Sequence, residues 1–282
     1  MTQRRSLFFA ALLLAVGVMV NIASAGHSWG SPAYHWARTT SPFRLKLGNN
    51  LSTADWTGHL LTTSGDWNSG STPLRTDVVA GQANKRCSMV SGTTQVCNGS
   101  YGKNGWLGLA TINITGGVHI TQGSAKMNDS YFLTAFYNNP NERLHVMCQE
   151  IAHTFGLAHQ SENGTSQDSC MDYFSNTGDK ATSTLSTKPN AHDFEQLRLI
   201  YDSHLDATTT VAATTANAPS TGLDLSDDPK SWGTLMRQSK NGRSSEYEAF
   251  NRDGSTTATH VFWTLEAAAK CKDCDHRFED HR

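Results

Sequence analysis

The chain has 282 residues, 37% of them hydrophobic, enough for one medium domain with a core and some further sequence but too little for a second large domain. Its formal charge is −2, with 23 basic and 25 acidic residues and no basic patch, which argues against nucleic acid as a partner.

The first residues read as an export signal. Arg4 and Arg5 precede an apolar run from Leu7 to Val20, and Ala23-Ser24-Ala25 supplies the small-x-small pattern cut by a signal peptidase. Residues 1–25 are therefore expected to be a signal peptide and Gly26 the mature start. No other stretch is apolar enough to cross a bilayer, so the expectation is a secreted, extracellular protein with no membrane contact after cleavage. Six cysteines in an exported chain read first as disulfides. Spacing suggests Cys87 with Cys97, Cys148 with Cys170, and Cys271 with Cys274, although other pairings remain open.

Phe43 to Leu47 alternates apolar and charged residues, the period of a strand with one buried face, and opens the folded domain over 26–205. Trp56, Leu60 and Leu61 recur at near-helical spacing between Ser52 and Thr63, which predicts a first helix. Leu74–Val79, Gly105–Thr111, Gly117–Thr121 and Ser124–Met127 read as short strands of one sheet, with Cys87 and Cys97 bracketing a loop or hairpin within it. The best-defined helix begins at Asn139 as cap, with Pro140 in its first turn and Glu142 placed for a capping box. Leu144, Met147, Ile151 and Phe155 give it one buried stripe, and Gly156 stops it. A third helix follows Asn190, with Phe194, Leu197, Ile200 and Tyr201 as its apolar face. Residues 206–222, mostly Thr, Ala, Ser and Asn, read as a low-complexity linker. Residues 223–282 read as a small, partly disordered appendage with apolar patches at Trp232–Met236 and His260–Leu265.

Chemistry concentrates in Gln149-Glu150-Ile151-Ala152-His153-Thr154-Phe155-Gly156-Leu157-Ala158-His159, followed by Cys170-Met171-Asp172-Tyr173. Positions 149 and 153 lie one helical turn apart, so both side chains project from the same face and can meet one ion. Glu150 is offset around the helix and can reach a water on that ion. Gly156 lets the backbone leave helical geometry and bring His159 round as a further ligand.

This segment resembles the metzincin zinc-binding signature, His-Glu-x-x-His-x-x-Gly-x-x-His, with a downstream Met-turn. Within that family it is most similar to matrixin-like secreted peptidases. The resemblance implies an α+β fold: a metzincin-like catalytic domain with a twisted mixed sheet, an active-site helix, a Met-turn and a C-terminal helix. It implies a secreted zinc-dependent metalloendopeptidase that hydrolyses peptide bonds in extracellular proteins. Zn2+ is the cofactor, Glu150 the base, His153 and His159 are ligands, and Met171 is the floor under the metal. A peptide or protein substrate would lie along an edge strand, one formed within Gly117 to Met127. The first histidine of the signature is Gln149 here. Either its amide oxygen binds zinc, or Tyr173, two residues after the Met-turn methionine, completes the shell, or the site is degraded and the chain is a secreted binding module.

Overall fold

The computed structural model describes residues 27–83, 86–160, 166–172, 183–202, 204–206, 227–239 and 241–270. The signal sequence, Tyr173, Cys271, Cys274 and nearly all of the proposed linker lie outside the described residues.

Among the described residues nine strands form one mixed sheet: β1 (His35–Trp36), β2 (Phe43–Asn50), β3 (Leu74–Ala80), β4 (Thr93–Gly99), β5 (Trp106–Thr115), β6 (His119–Asn128), β7 (Thr234–Gln238), β8 (Ser244–Phe250) and β9 (Thr256–Trp263). Their order is β3-β2-β4-β6-β5-β9-β8-β7, with β1 paired to β6 off this path. The first four strands in that order are parallel, and the pairings from β6 through to β7 are antiparallel. The helices are α1 (Ala54–Ser69), the short α2 (Asp129–Phe132), α3 (Pro140–His153), α4 (Ala191–Tyr201) and α5 (Leu265–Lys270).

α1 starts where Thr53 accepts a hydrogen bond from the Trp56 backbone. It makes the crossover between parallel β2 and β3 and runs past the Thr63 end read from sequence. It buries Trp56, Leu60 and Trp67 in the main core, together with Leu47, Val96, Met127, Val146, Ile151, Phe155 and Leu197. A smaller cluster of Trp106, Leu109, Trp232, Tyr247, Val261 and Trp263 covers the opposite face of β5 and β9. Period-two alternation divides β9 between these layers: Ala258 and Phe262 join the main core, while Val261 and Trp263 join the second. His260 shares the parity of the first pair.

Three expectations are corrected. The two short strands read at Gly117–Thr121 and Ser124–Met127 are one continuous strand, β6, which lies between β4 and β5 and so offers no free edge. β4, with the polar sequence Thr-Thr-Gln-Val-Cys-Asn-Gly, is a strand in its own right, and the Cys87–Cys97 disulfide pins the preceding segment to it. Residues 234–263 are not an appendage. They continue the main sheet, because β9 pairs with β5 along most of its length and buries a face that would otherwise be exposed.

Candidate metal centre

Helix α3 carries the signature segment. Asn139 caps it by accepting from the Asn141 backbone, and Pro140 fills the first turn, where no N–H is needed. Glu142 is buried and faces Arg243 of the segment before β8 at 4.0 Å, in place of the expected return bond to the cap. At the other end Gly156 has φ +94°, and a Cβ there would collide with the Tyr34 carbonyl oxygen. The turn it makes is sealed by the N-terminal segment: Trp29 N–H donates to the Gly156 carbonyl, and Ala158 N–H to that of His27. His159 follows directly.

His153 and His159 come together as the spacing predicted, and a third imidazole joins them from β9. Ligand atoms of His153, His159 and His260 all lie within 4.8 Å of one another, and each residue is at most 6% exposed. The β5–β9 register sets His260 opposite Ala110, and its ring stacks on that of His153 with centroids 3.7 Å apart. Glu150 touches this group through Oε2, 3.0 Å from His260 Nδ1. The carboxylate reaches it across Gly108 of β5, where any Cβ would collide with Val146 and with Glu150 itself. His260 is hidden from the sequence because it stands 101 positions after His159, beyond a low-complexity stretch and in a segment with few apolar residues. The signal was a single titratable residue on the inward parity of the otherwise uncharged strand Thr-Thr-Ala-Thr-His-Val-Phe-Trp.

Gln149 is held differently. Its Nε2 donates to the carbonyls of Cys170, at 2.9 Å, and of Asp172, while its buried Oε1 has no hydrogen-bond partner among the described residues. The residue thus braces the turn that contains Met171. The same turn is anchored by the Cys148–Cys170 disulfide, by Gln160 N–H donating to the Met171 carbonyl, and by Ser169, whose hydroxyl accepts from Met171 N–H and donates to Asp193. Asp193 closes the capping box of α4 with Asn190, so the third helix starts as its sequence implied. Met171 itself is fully buried in the main core.

Burial disfavours charge throughout the group, so the imidazoles are held neutral with their lone pairs free to bind. Burial pushes the Glu150 carboxyl well above its usual range, opposed by a hydrogen bond from the Ala110 backbone. Burial, and then the neighbouring His260, hold His153 and His159 well below theirs. Burial alone lowers His260 to about 3. Three neutral imidazoles packed together are a donor set for a borderline-soft dication such as zinc. His153 fits that role in detail: its Nδ1 sits 2.8 Å from the Leu157 carbonyl, which accepts from the ring N–H, and its buried Nε2 has no hydrogen-bond partner among the described residues.

No protein-family model matches the sequence, and no curated relative matches it. A solved structure that it resembles is High choriolytic enzyme 1, a hatching enzyme zinc-protease from Oryzias latipes (Medaka fish), at 10% sequence identity and a TM-score of 0.33, over 62% of this chain and 98% of that one. Among the described residues no helix is long and apolar enough to cross a membrane.

Proposed function

We propose that the chain is a secreted zinc-dependent metalloendopeptidase of the metzincin type, acting on peptide bonds of extracellular proteins. The observation that carries the reading is the convergence of His153, His159 and His260 beside Glu150, at the end of the helix that bears the signature. The export signal and two closed disulfides support secretion. His153, His159 and His260 would hold the ion, with His260 supplying the nitrogen that the signature lacks at Gln149. Gln149 Oε1 remains available as a further oxygen ligand. Zinc, when bound, supplies a Lewis acid and a water that is acidic near neutral pH. Glu150 takes a proton at a carboxylate oxygen and returns it to the leaving amine. Its contact with His260 Nδ1 fixes the orientation of both side chains. Met171, tied through its backbone to Gln160 and Ser169, keeps the floor of the site in register with α3.

A second reading, a secreted zinc-holding module without catalysis, is favoured by the enclosure of the site: Glu150 and His260 have no exposed surface. One experiment separates the two. Purified mature protein should carry zinc and cleave an unfolded protein in a chelator-sensitive way, and Glu150→Gln should retain the zinc while losing cleavage. Zinc without cleavage in the wild type selects the second reading. Unaltered cleavage by Glu150→Gln removes Glu150 from its role.

A further inference from the structure

A second group of donors lies where β1, the start of β6 and the segment after α4 meet, and it shares no residue with the first. The parallel β1–β6 ladder aligns His35 with His119, so their rings stand side by side with centroids 5.0 Å apart. His204 and Asp206 come back to the same point after α4. His119 Nε2, His204 Nε2 and His35 Nε2 lie 3.1, 3.5 and 3.8 Å from Asp206 Oδ1, and the Nε2 atoms of His35 and His204 are 3.1 Å apart. Donor atoms of His35, His119 and Asp206 therefore all lie within 4.8 Å of one another, and His204 Nε2 stands beside those of His35 and Asp206. Zinc bonds of about 2.0–2.2 Å in a tetrahedron place neighbouring donor atoms roughly 3.3–3.5 Å apart, a range that the separations of 3.1, 3.5 and 3.8 Å to Asp206 Oδ1 and of 3.1 Å between His35 and His204 bracket.

The outer contacts of this group point the donor atoms inward. His35 Nδ1 lies 2.8 Å from the Ala33 carbonyl, so the ring proton sits there and the Nε2 lone pair faces the cluster. Asp206 Oδ2 accepts from Arg38 N–H, and Asp206 N–H donates to the Arg38 carbonyl, which leaves Oδ1 for the histidines. Arg38 in turn donates to the carbonyls of Tyr201 and His204, fixing the chain as it leaves α4. His35 and Asp206 are largely buried, while the His204 side chain is 42% exposed and gives the group its opening to solvent.

We propose that His35, His119, His204 and Asp206 form a second zinc site, structural in kind because four protein donors close the coordination shell. The ion would clasp the N-terminal strand and the end of the α4 segment to the sheet. This proposal does not rest on the peptidase reading.

The test is zinc stoichiometry of the full mature chain after exhaustive dialysis against metal-free buffer, in wild type, His119→Ala, Asp206→Asn and His153→Ala. Asp206→Asn keeps the size and the hydrogen-bonding oxygen of the side chain, so it reports on the site even if His119→Ala does not fold. Two zinc ions per wild-type chain are expected, falling to one in His119→Ala and Asp206→Asn, with the other ion lost in His153→Ala. A single ion kept by His153→Ala and lost by Asp206→Asn would support this site while removing the first. Zinc content unchanged by both His119→Ala and Asp206→Asn overturns the proposal.

Discussion

Gln149 and Gly156 show how single positions in one short segment divide chemistry from architecture. Gln149 donates to two carbonyls of the turn that holds Met171, a task an imidazole at the same position would perform less completely. Gln149→Ala is expected to leave those buried carbonyls unpaired, lowering stability by about 1–3 kcal/mol in urea denaturation. Zinc content should stay the same, since three histidines remain. Loss of zinc from that variant would show that Oε1 is an essential ligand. Gly156 carries a purely steric demand, because its φ is positive and the Tyr34 carbonyl occupies the place of a side chain. Gly156→Ala should cost at least about 2 kcal/mol and displace His159, read as lowered thermal stability together with weakened zinc retention.

At the scale of elements, the disulfide between Cys148 of α3 and Cys170 of the Met171 turn joins the two halves of the site. Cys148→Ser with Cys170→Ser should destabilise the protein by about 2–4 kcal/mol, measured by thermal or urea unfolding against wild type. The elements legible in the sequence were those whose own residues determine them. α3 has its cap, its first-turn proline and its stop, although burial runs through every residue from His145 to His153 in place of the one stripe expected, with Leu144 only half-buried; α4 has its Asn190–Asp193 box. β4 was not legible, since its polar residues are satisfied by partners distant in sequence, such as Thr154 for Thr94 and Asn50 for Gln95. The approach of His153 and His159 was legible because a helix and one glycine turn dictate it. His260 was not, because only the pairing of β5 with β9 brings it there, and a lone histidine in a strand does not name the strand it pairs with.

The whole molecule is tied together through that pairing. β9 is flanked by β5 and β8, and its inward face contributes Ala258, His260 and Phe262 to the layer against α3, with Phe262 against His145 at 5.5 Å between ring centroids. Ser244 of β8 adds a hydroxyl 3.0 Å from His260 Nε2 and 3.3 Å from His159 Nδ1, so two of the C-terminal strands touch the histidine group. An ion held by His153, His159 and His260 links α3, the loop after it and β9, and its binding energy becomes stability of the sheet's C-terminal half. Chelation should therefore loosen the strands as well as empty the site. Amide hydrogen exchange on the apo protein is expected to show faster exchange across β8 and β9, restored by added zinc, while β2 and β3 on the far side of the sheet remain protected. His260→Ala should reproduce the apo pattern and bind zinc at least tenfold more weakly, because the third imidazole is gone and the closing strand loses its link to α3. If His260→Ala retains wild-type zinc affinity and β9 stays protected under chelation, His260 is a packing residue and the metal relies on His153, His159 and an oxygen donor.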